Sequence, residues 1–208
     1  MTKWPDVLVA DQAAIAQERR NTGTQDEFCP FVEKTMRFVQ CSFDSHAQQI
    51  LDILNDAIVT STALYDYQTR SPESMDVWFR GKSAGHFPVI GALDDDDRLL
   101  GFATYSVFRT WPAYKYSVEH SLYIHKHHRG KGIGLALMQQ LIDAARSQQF
   151  HVLVGGIDRE NRASIALHES LGFAHAGTIR QAGFKFGRWL DLAFYQLVLD
   201  TPAAPLDG

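Results

Sequence analysis

From residue 129 to residue 134 the chain reads Arg129-Gly130-Lys131-Gly132-Ile133-Gly134, between an expected strand, Tyr116 to His125, and an expected helix, Ile133 to Phe150. Glycines at every second position let the backbone come close to a ligand, and the free amides opening the next helix attract phosphate. The segment reads as a pyrophosphate cradle on a strand–loop–helix unit. It is not the dinucleotide fingerprint G-x-G-x-x-G, because the third glycine comes one residue early, and it lacks the G-K-[ST] ending of a P-loop.

A second motif follows at Asn161-Arg-Ala-Ser164-Ile-Ala-Leu-His168-Glu-Ser-Leu-Gly172-Phe173. It reads as a short helix stopping at Gly172, with Asn161 and His168 about two turns apart, so that both side chains face one ligand from one side. Together the two motifs resemble the GNAT superfamily of acyl-CoA-dependent N-acetyltransferases. Arg129-x-x-Gly132-x-Gly134 is similar to that superfamily's coenzyme A loop. The second motif resembles its Asn-x-x-Ala/Ser-x-x-x-Tyr-x-x-x-Gly-Phe pattern, with His168 in place of the tyrosine. Ser117-Val118-Glu119 before Leu122-Tyr123-Ile124, His168 itself and the late segment Gly183 to Asp191 resemble the phosphinothricin and methionine sulfoximine N-acetyltransferase branch. The resemblance runs from about Met36 to Leu199.

The resemblance implies a mixed α/β fold whose mostly antiparallel sheet, flanked by helices, splays open between the Glu119 strand and the His151 strand. It implies acetyl-CoA as co-substrate, its pantetheine arm inserted in the splay like an added strand, a binding mode with a plain hydrogen-bond rationale. Backbone groups of Leu122, Tyr123 and Ile124 would pair with the pantetheine amides. Gly130, Lys131, Gly132, Ile133, Gly134 and Leu135 would hold the pyrophosphate, with Asn161 and Ser164 facing the cofactor. Homodimers are common in this branch, and 12% aromatic residues, including four Trp and 13 Phe, leave apolar surface for a partner to cover.

Bulk properties narrow the class. The formal charge is −4 with a sequence pI near 6.1 and no long basic block, which argues against a nucleic-acid partner. There is no run of 18 apolar residues and no signal-like N-terminus, so a cytoplasmic, membrane-free protein is expected. Cys29 and Cys41 have no C-x-x-C spacing and fit a reducing compartment without a metal. His125, His127 and His128 lack a carboxylate or cysteine partner at ligand spacing and read as a solvated basic rim.

Along the chain, residues 1–35 read as an N-terminal extension, with a possible helix from Val7 to Arg20 ahead of a polar break. Residues 36–200 read as the acetyltransferase domain and 201–208 as a tail. A strand is expected from Met36 through Phe43. A capping box at Ser45-x-x-Gln48 should open a helix with Ile50, Ile53, Leu54, Ala57 and Ile58 on one stripe. Ser71-Pro72-Glu73 opens a second helix burying Met75, Trp78 and Phe79. A hairpin of Phe87 to Leu93 and Arg98 to Phe108 turns at Asp94 to Asp97, and His151 to Ile157 suits a buried strand. The last two strands are expected near Ala174 to Gln181 and Trp189 to Leu199.

Acyl transfer to an amine requires loss of a proton from the acceptor ammonium, donors for the developing oxyanion, and a proton or counter-charge for the thiolate. Glu119, three residues before the pantetheine strand and among Tyr116, Val118 and Phe108, is the expected base. The alternative is a carboxylate that only holds the ammonium while water takes the proton. His168 is expected to donate a proton or orient the thioester. Acceptor recognition calls for a cation and polar walls, for which Arg109, Lys115, Tyr65, Tyr67, Lys185 and Trp189 are candidates. The segment Phe108 to Lys115 departs from herbicide-resistance members, so a small amino-acid-like amine is the broader expectation. A GNAT enzyme acting on protein amines and a non-catalytic acyl-CoA module stay open as other classes.

Overall fold

The computed structural model describes residues 36–207, so the Val7 to Arg20 helix lies outside the described residues. The elements are β1 (Arg37–Gln40), α1 (Phe43–Thr60), α2 (Pro72–Ala84), β2 (Val89–Leu93), β3 (Leu99–Val107), β4 (Ser117–Ile124), α3 (Ile133–Ser147), β5 (Val152–Asp158), α4 (Arg162–Ser170), β6 (Ala174–Lys185) and β7 (Arg188–Val198). The strands form one seven-stranded sheet in the order β1-β2-β3-β4-β5-β7-β6. Every neighbouring pair is antiparallel except β4 and β5.

Alternation along the central strands builds two cores, one on each face. On one face Val89, Leu93, Leu99 and Phe102 pack against Ile50, Leu51, Ile53 and Leu54 of α1 and Met75 of α2. On the other, Ile90, Ala103, Tyr105, Val118 and Leu153 pack against Leu137, Met138, Leu141 and Ala145 of α3. The expected α1 stripe is buried throughout, and Trp78 and Phe79 cover the first core beside Met75.

Some boundaries differ from expectation. The first strand stops at Gln40, because the Cys41 amide already turns to the Val89 carbonyl, 2.7 Å away. Phe43 is therefore helical, set edge-on to Phe79 of α2, and Ser42 rather than Ser45 precedes the helix; its amide donates to His46 Nδ1 at 3.1 Å. Helix α3 ends at Ser147, three residues early, since Phe150 is drawn into the core against Tyr105 and its amide closes back on the Ala145 carbonyl. The hairpin turn is organised by Asp94, whose Oδ1 accepts from the amides of Asp96 and Arg98. Strand β6 runs on to Lys185, so β6 and β7 make a long hairpin closed at Phe186 and Gly187.

The pairing of β4 with β5 positions everything that follows. It covers Ser117 with Val152, Val118 with Leu153 and Glu119 with Val154, and then stops. Strand β4 goes on pairing with β3 as far as Ile124, and β5 goes on pairing with β7 as far as Asp158. The two strands thus form a fork that opens directly after Glu119. Among the described residues, no strand occupies the fork-facing edge of residues 120–124.

Candidate active site

A cleft of about 1060 Å³ runs through the fork. That is the upper end of ordinary small-molecule pockets, as suits an elongated ligand with a second molecule beside it. Gly130, Gly132, Ile133, Gly134 and Leu135 line one end, Leu122, Tyr123 and Ile124 the fork, and Tyr65, Asp158 and Arg188 the other end.

At the first end, Gly130 and Gly132 have φ of 74° and 78°, a left-handed backbone in which a side chain is strained. A Cβ on either would meet nothing within 4 Å, so the loop presents bare backbone to open space. Gly132 is also the N-cap of α3, and no side chain caps the helix. The first-turn amides of Ile133, Gly134 and Leu135 therefore remain for an anion, reinforced by the helix dipole. The loop fits a pyrophosphate. Arg129 lines the same end, its Nε on the Ile124 carbonyl at 3.2 Å and its guanidinium 3.5 Å from Asp56, which also pairs with Lys126 at 3.0 Å. The Lys131 ammonium turns back to the His127 carbonyl at 3.1 Å, and Lys131 is not among the residues that line the cleft.

In the fork, Glu119 and His120 project to opposite faces of β4, and each crosses to a glycine of β5. A Cβ at Gly156 would lie 3.3 Å from Glu119 Oε1, and one at Gly155 would lie 2.8 Å from His120 Cε1. Two consecutive glycines thus make room for two consecutive ionisable side chains. Glu119 is half-buried, and that burial raises its pKa above the ordinary carboxylate value, opposed by the positive charge of Arg109.

His168, expected to donate a proton or to orient the thioester, is buried and lines the cleft. Its Nδ1 lies 2.6 Å from the Ser164 carbonyl and its Nε2 2.8 Å from His120 Nε2, so both ring nitrogens are engaged. Burial lowers its pKa. Asn161 is the N-cap of α4, its Oδ1 accepting from the Ser164 amide at 3.1 Å, while both residues also line the cleft.

At the far end, Asp158 is buried and accepts from the Thr62 hydroxyl at 2.5 Å and from Arg188 at 3.3 Å. Arg188 also pairs with Glu160 at 3.0 Å. The Tyr65 hydroxyl is buried and has no hydrogen-bond partner, close to Asp158 and Arg188. Of the expected acceptor residues, Tyr65 alone lines the cleft. Arg109 lies beyond the lining, over the Phe108 ring at 4.7 Å, and reaches the site through its charge on Glu119. Lys115 stacks on Tyr116 at the surface. Lys185 is buried, donating to the carbonyls of Ile58, Ser61 and Leu64 at 2.7, 3.0 and 2.6 Å, which leaves no ammonium hydrogen for a substrate. Tyr67 bonds the Phe184 carbonyl at 2.6 Å, and Trp189 is largely exposed on β7.

His120, Gly155, Gly156, Asp158 and Arg188 escaped the sequence reading. The signal for the two glycines was present: a Gly-Gly pair inside an apolar strand marks close approach of another group.

A forked sheet with an uncapped glycine cradle at one end of its cleft and a half-buried carboxylate where the strands part suits an extended, phosphate-bearing ligand. Residues 48–173 match the acetyltransferase (GNAT) family, and the chain belongs to it. It is 43% identical over 157 residues to L-methionine sulfoximine/L-methionine sulfone acetyltransferase of Pseudomonas aeruginosa, covering 75% of this chain and 91% of the relative. It is 33% identical over 160 residues to phosphinothricin N-acetyltransferase of Streptomyces coelicolor, covering 76% and 94%. The crystal structure of a GNAT superfamily phosphinothricin acetyltransferase from Sinorhizobium meliloti in complex with acetyl-CoA superimposes with a TM-score of 0.78 at 32% identity, over 82% of this chain and 92% of that one.

Proposed function

We propose that this enzyme transfers the acetyl group of acetyl-CoA to the amine of a small amino-acid-like acceptor of the phosphinothricin or methionine sulfoximine type. The observation that carries the reading is the position of Glu119: a half-buried carboxylate at the point where the two strands part, in a cleft whose far end is an anion cradle. The pyrophosphate sits on the first-turn amides of α3, and the pantetheine arm pairs with the free edge of residues 122–124. Glu119 takes the proton of the acceptor ammonium. The amine then attacks the thioester carbonyl and the C–N bond forms; as the C–S bond breaks, the second proton of the nitrogen passes to the departing sulfur, so that coenzyme A leaves as the free thiol. His168 supports the thioester end by packing rather than by giving a proton. Tyr65 and Arg188 offer a hydroxyl and a cation to the acceptor's polar groups, and Arg109 adds positive charge at the entrance.

The reading includes two further features. A homodimer is supported by Ile179, Phe184, Phe186 and Trp189, large apolar side chains exposed together on the β6–β7 hairpin. A cytoplasmic setting is supported by the need for an acetyl-CoA supply and by the free thiol of Cys41. Among the described residues no helix is long and apolar enough to cross a membrane.

The test is acceptor-dependent release of free thiol from acetyl-CoA, with methionine sulfoximine, phosphinothricin, simple amines and a lysine peptide offered side by side. Turnover with the amino-acid analogues is expected. Release with the peptide alone would move the enzyme to protein amines, and release with none would leave an acyl-CoA-binding module.

A further inference from the structure

With both rings neutral, the buried contact between His120 and His168 has one self-consistent proton arrangement. A carbonyl only accepts, so the nitrogen 2.6 Å from the Ser164 carbonyl, His168 Nδ1, carries a hydrogen. In the neutral ring His168 Nε2 then holds a lone pair, and the His120 Nε2 facing it at 2.8 Å must be the donor. That leaves His120 Nδ1 without a hydrogen; it is buried and has no partner in hydrogen-bond geometry, whereas a hydrogen placed on it toward the Val154 backbone would make the pair carry a positive charge and is the competing arrangement. Burial and the proximity of the two rings hold His120 well below the ordinary imidazole pKa, and burial lowers His168 against the opposing pull of the Ser164 carbonyl, so burial favours the neutral form of both rings. One shared hydrogen joins them.

The position of this bond in the fold gives it mechanical meaning. His120 is the first β4 residue past the last β4–β5 pair, and His168 stands on α4, which continues from β5 through the Asn161 amide on the Asp158 carbonyl at 2.8 Å. The bond therefore spans the two sides of the fork at the depth where pairing ends. Phe173 packs against both rings, with centroids 5.2 and 5.1 Å away, and Gly155 leaves room beneath them. An alanine there would place its Cβ 2.8 Å from His120 Cε1 and 3.3 Å from His168 Nε2.

We infer that His120 and His168 form a single-hydrogen pin that holds the β4–β5 fork open for the acyl-CoA arm, with His120 as the positioning residue that fixes the tautomer of His168. The inference rests on the reading that acetyl-CoA lies in the fork. It assigns His168 to geometry and gives His120, a residue with no role in the proton steps, a direct influence on cofactor affinity.

Two measurements test it. In the ligand-free parent protein at about pH 8, nitrogen–proton correlation spectra of the imidazoles should show two neutral rings of opposite tautomer, Nδ1–H for His168 and Nε2–H for His120. A His168 that carries its hydrogen on Nε2, or a His120 that carries its hydrogen on Nδ1, overturns the pin. By calorimetry, His120→Leu keeps bulk but loses the donor, leaving His168 Nε2 buried and unsatisfied, and should weaken acetyl-CoA binding by roughly tenfold. His120→Gln, whose amide N–H reaches a similar place, should recover most of that loss, and Gly155→Ala should reproduce it by displacing the ring. Acetyl-CoA affinity of His120→Leu within about twofold of the parent overturns the inference, and should that variant not fold, Gly155→Ala and the parent's spectra decide the matter. Failure of the parent itself to bind acetyl-CoA would instead sink the functional reading.

Discussion

Oε1 of Glu119 lies 3.3 Å from where a methyl group on residue 156 would stand, so the carboxylate fills space that Gly156 on the neighbouring strand leaves to it. A side chain seated this closely keeps its place when its charge is removed. Glu119→Gln should therefore preserve the fold and acetyl-CoA binding while lowering kcat by roughly 10²- to 10⁴-fold, the usual contribution of a general base. Retained kcat with a raised acceptor KM would mean that Glu119 only holds the ammonium, and the proton leaves through water.

The pH dependence of the same residue follows from its surroundings. Burial raises its pKa and Arg109 opposes the rise, so the group becomes a base only above the ordinary carboxylate range. The acceptor kcat/KM should rise with pH through that ionisation. In Arg109→Gln the opposing charge is gone, the Glu119 pKa climbs further, and the acidic limb should move to higher pH. A limb that stays in place or moves down would show that Arg109 does not act on Glu119.

The parts of the site built on backbone were legible in the sequence. Gly130 and Gly132 signalled a backbone that a ligand can approach closely, and both have positive φ, the conformation few other residues adopt. The periodic stripe of α1 followed from patterning, and a splay between the Glu119 and His151 strands from the resemblance. Long basic side chains were not legible. Lys131, Lys115 and Lys185 have stems that reach several places from one position, and their nearest unsatisfied carbonyls or rings came from the three-dimensional arrangement. His120 was missed because a histidine beside the expected base has no pattern of its own; its partner stands 48 residues away on α4.

The cradle gives the third prediction. Gly132 combines φ of 78° with open space at its would-be Cβ, so a side chain there clashes with no protein atom, yet it strains the backbone and intrudes on the anion. Gly132→Ala should cost about 1 kcal/mol or more in stability. Gly132→Val, being β-branched, should abolish measurable acetyl-CoA binding while the protein remains folded. A folded Gly132→Val variant that binds acetyl-CoA as tightly as the parent in calorimetry would remove the loop from the cofactor site.

Lys185 supplies the last prediction, because sequence and structure assign it different work. Its ammonium has three hydrogens and spends them on the carbonyls of Ile58, Ser61 and Leu64, in the last turn of α1 and just beyond it. The segment it ties down, Ser61 to Tyr65, forms one wall of the cleft. Lys185→Met keeps the apolar stem but strands those carbonyls, and should cost about 1 to 3 kcal/mol, a fall of several degrees in Tm. The acceptor KM should rise as a consequence, since the Tyr65 wall loosens, and stability and KM should recover together in Lys185→Arg only if that larger head can be accommodated. An unchanged Tm accompanied by a raised acceptor KM would return Lys185 to the substrate, as the sequence alone suggested.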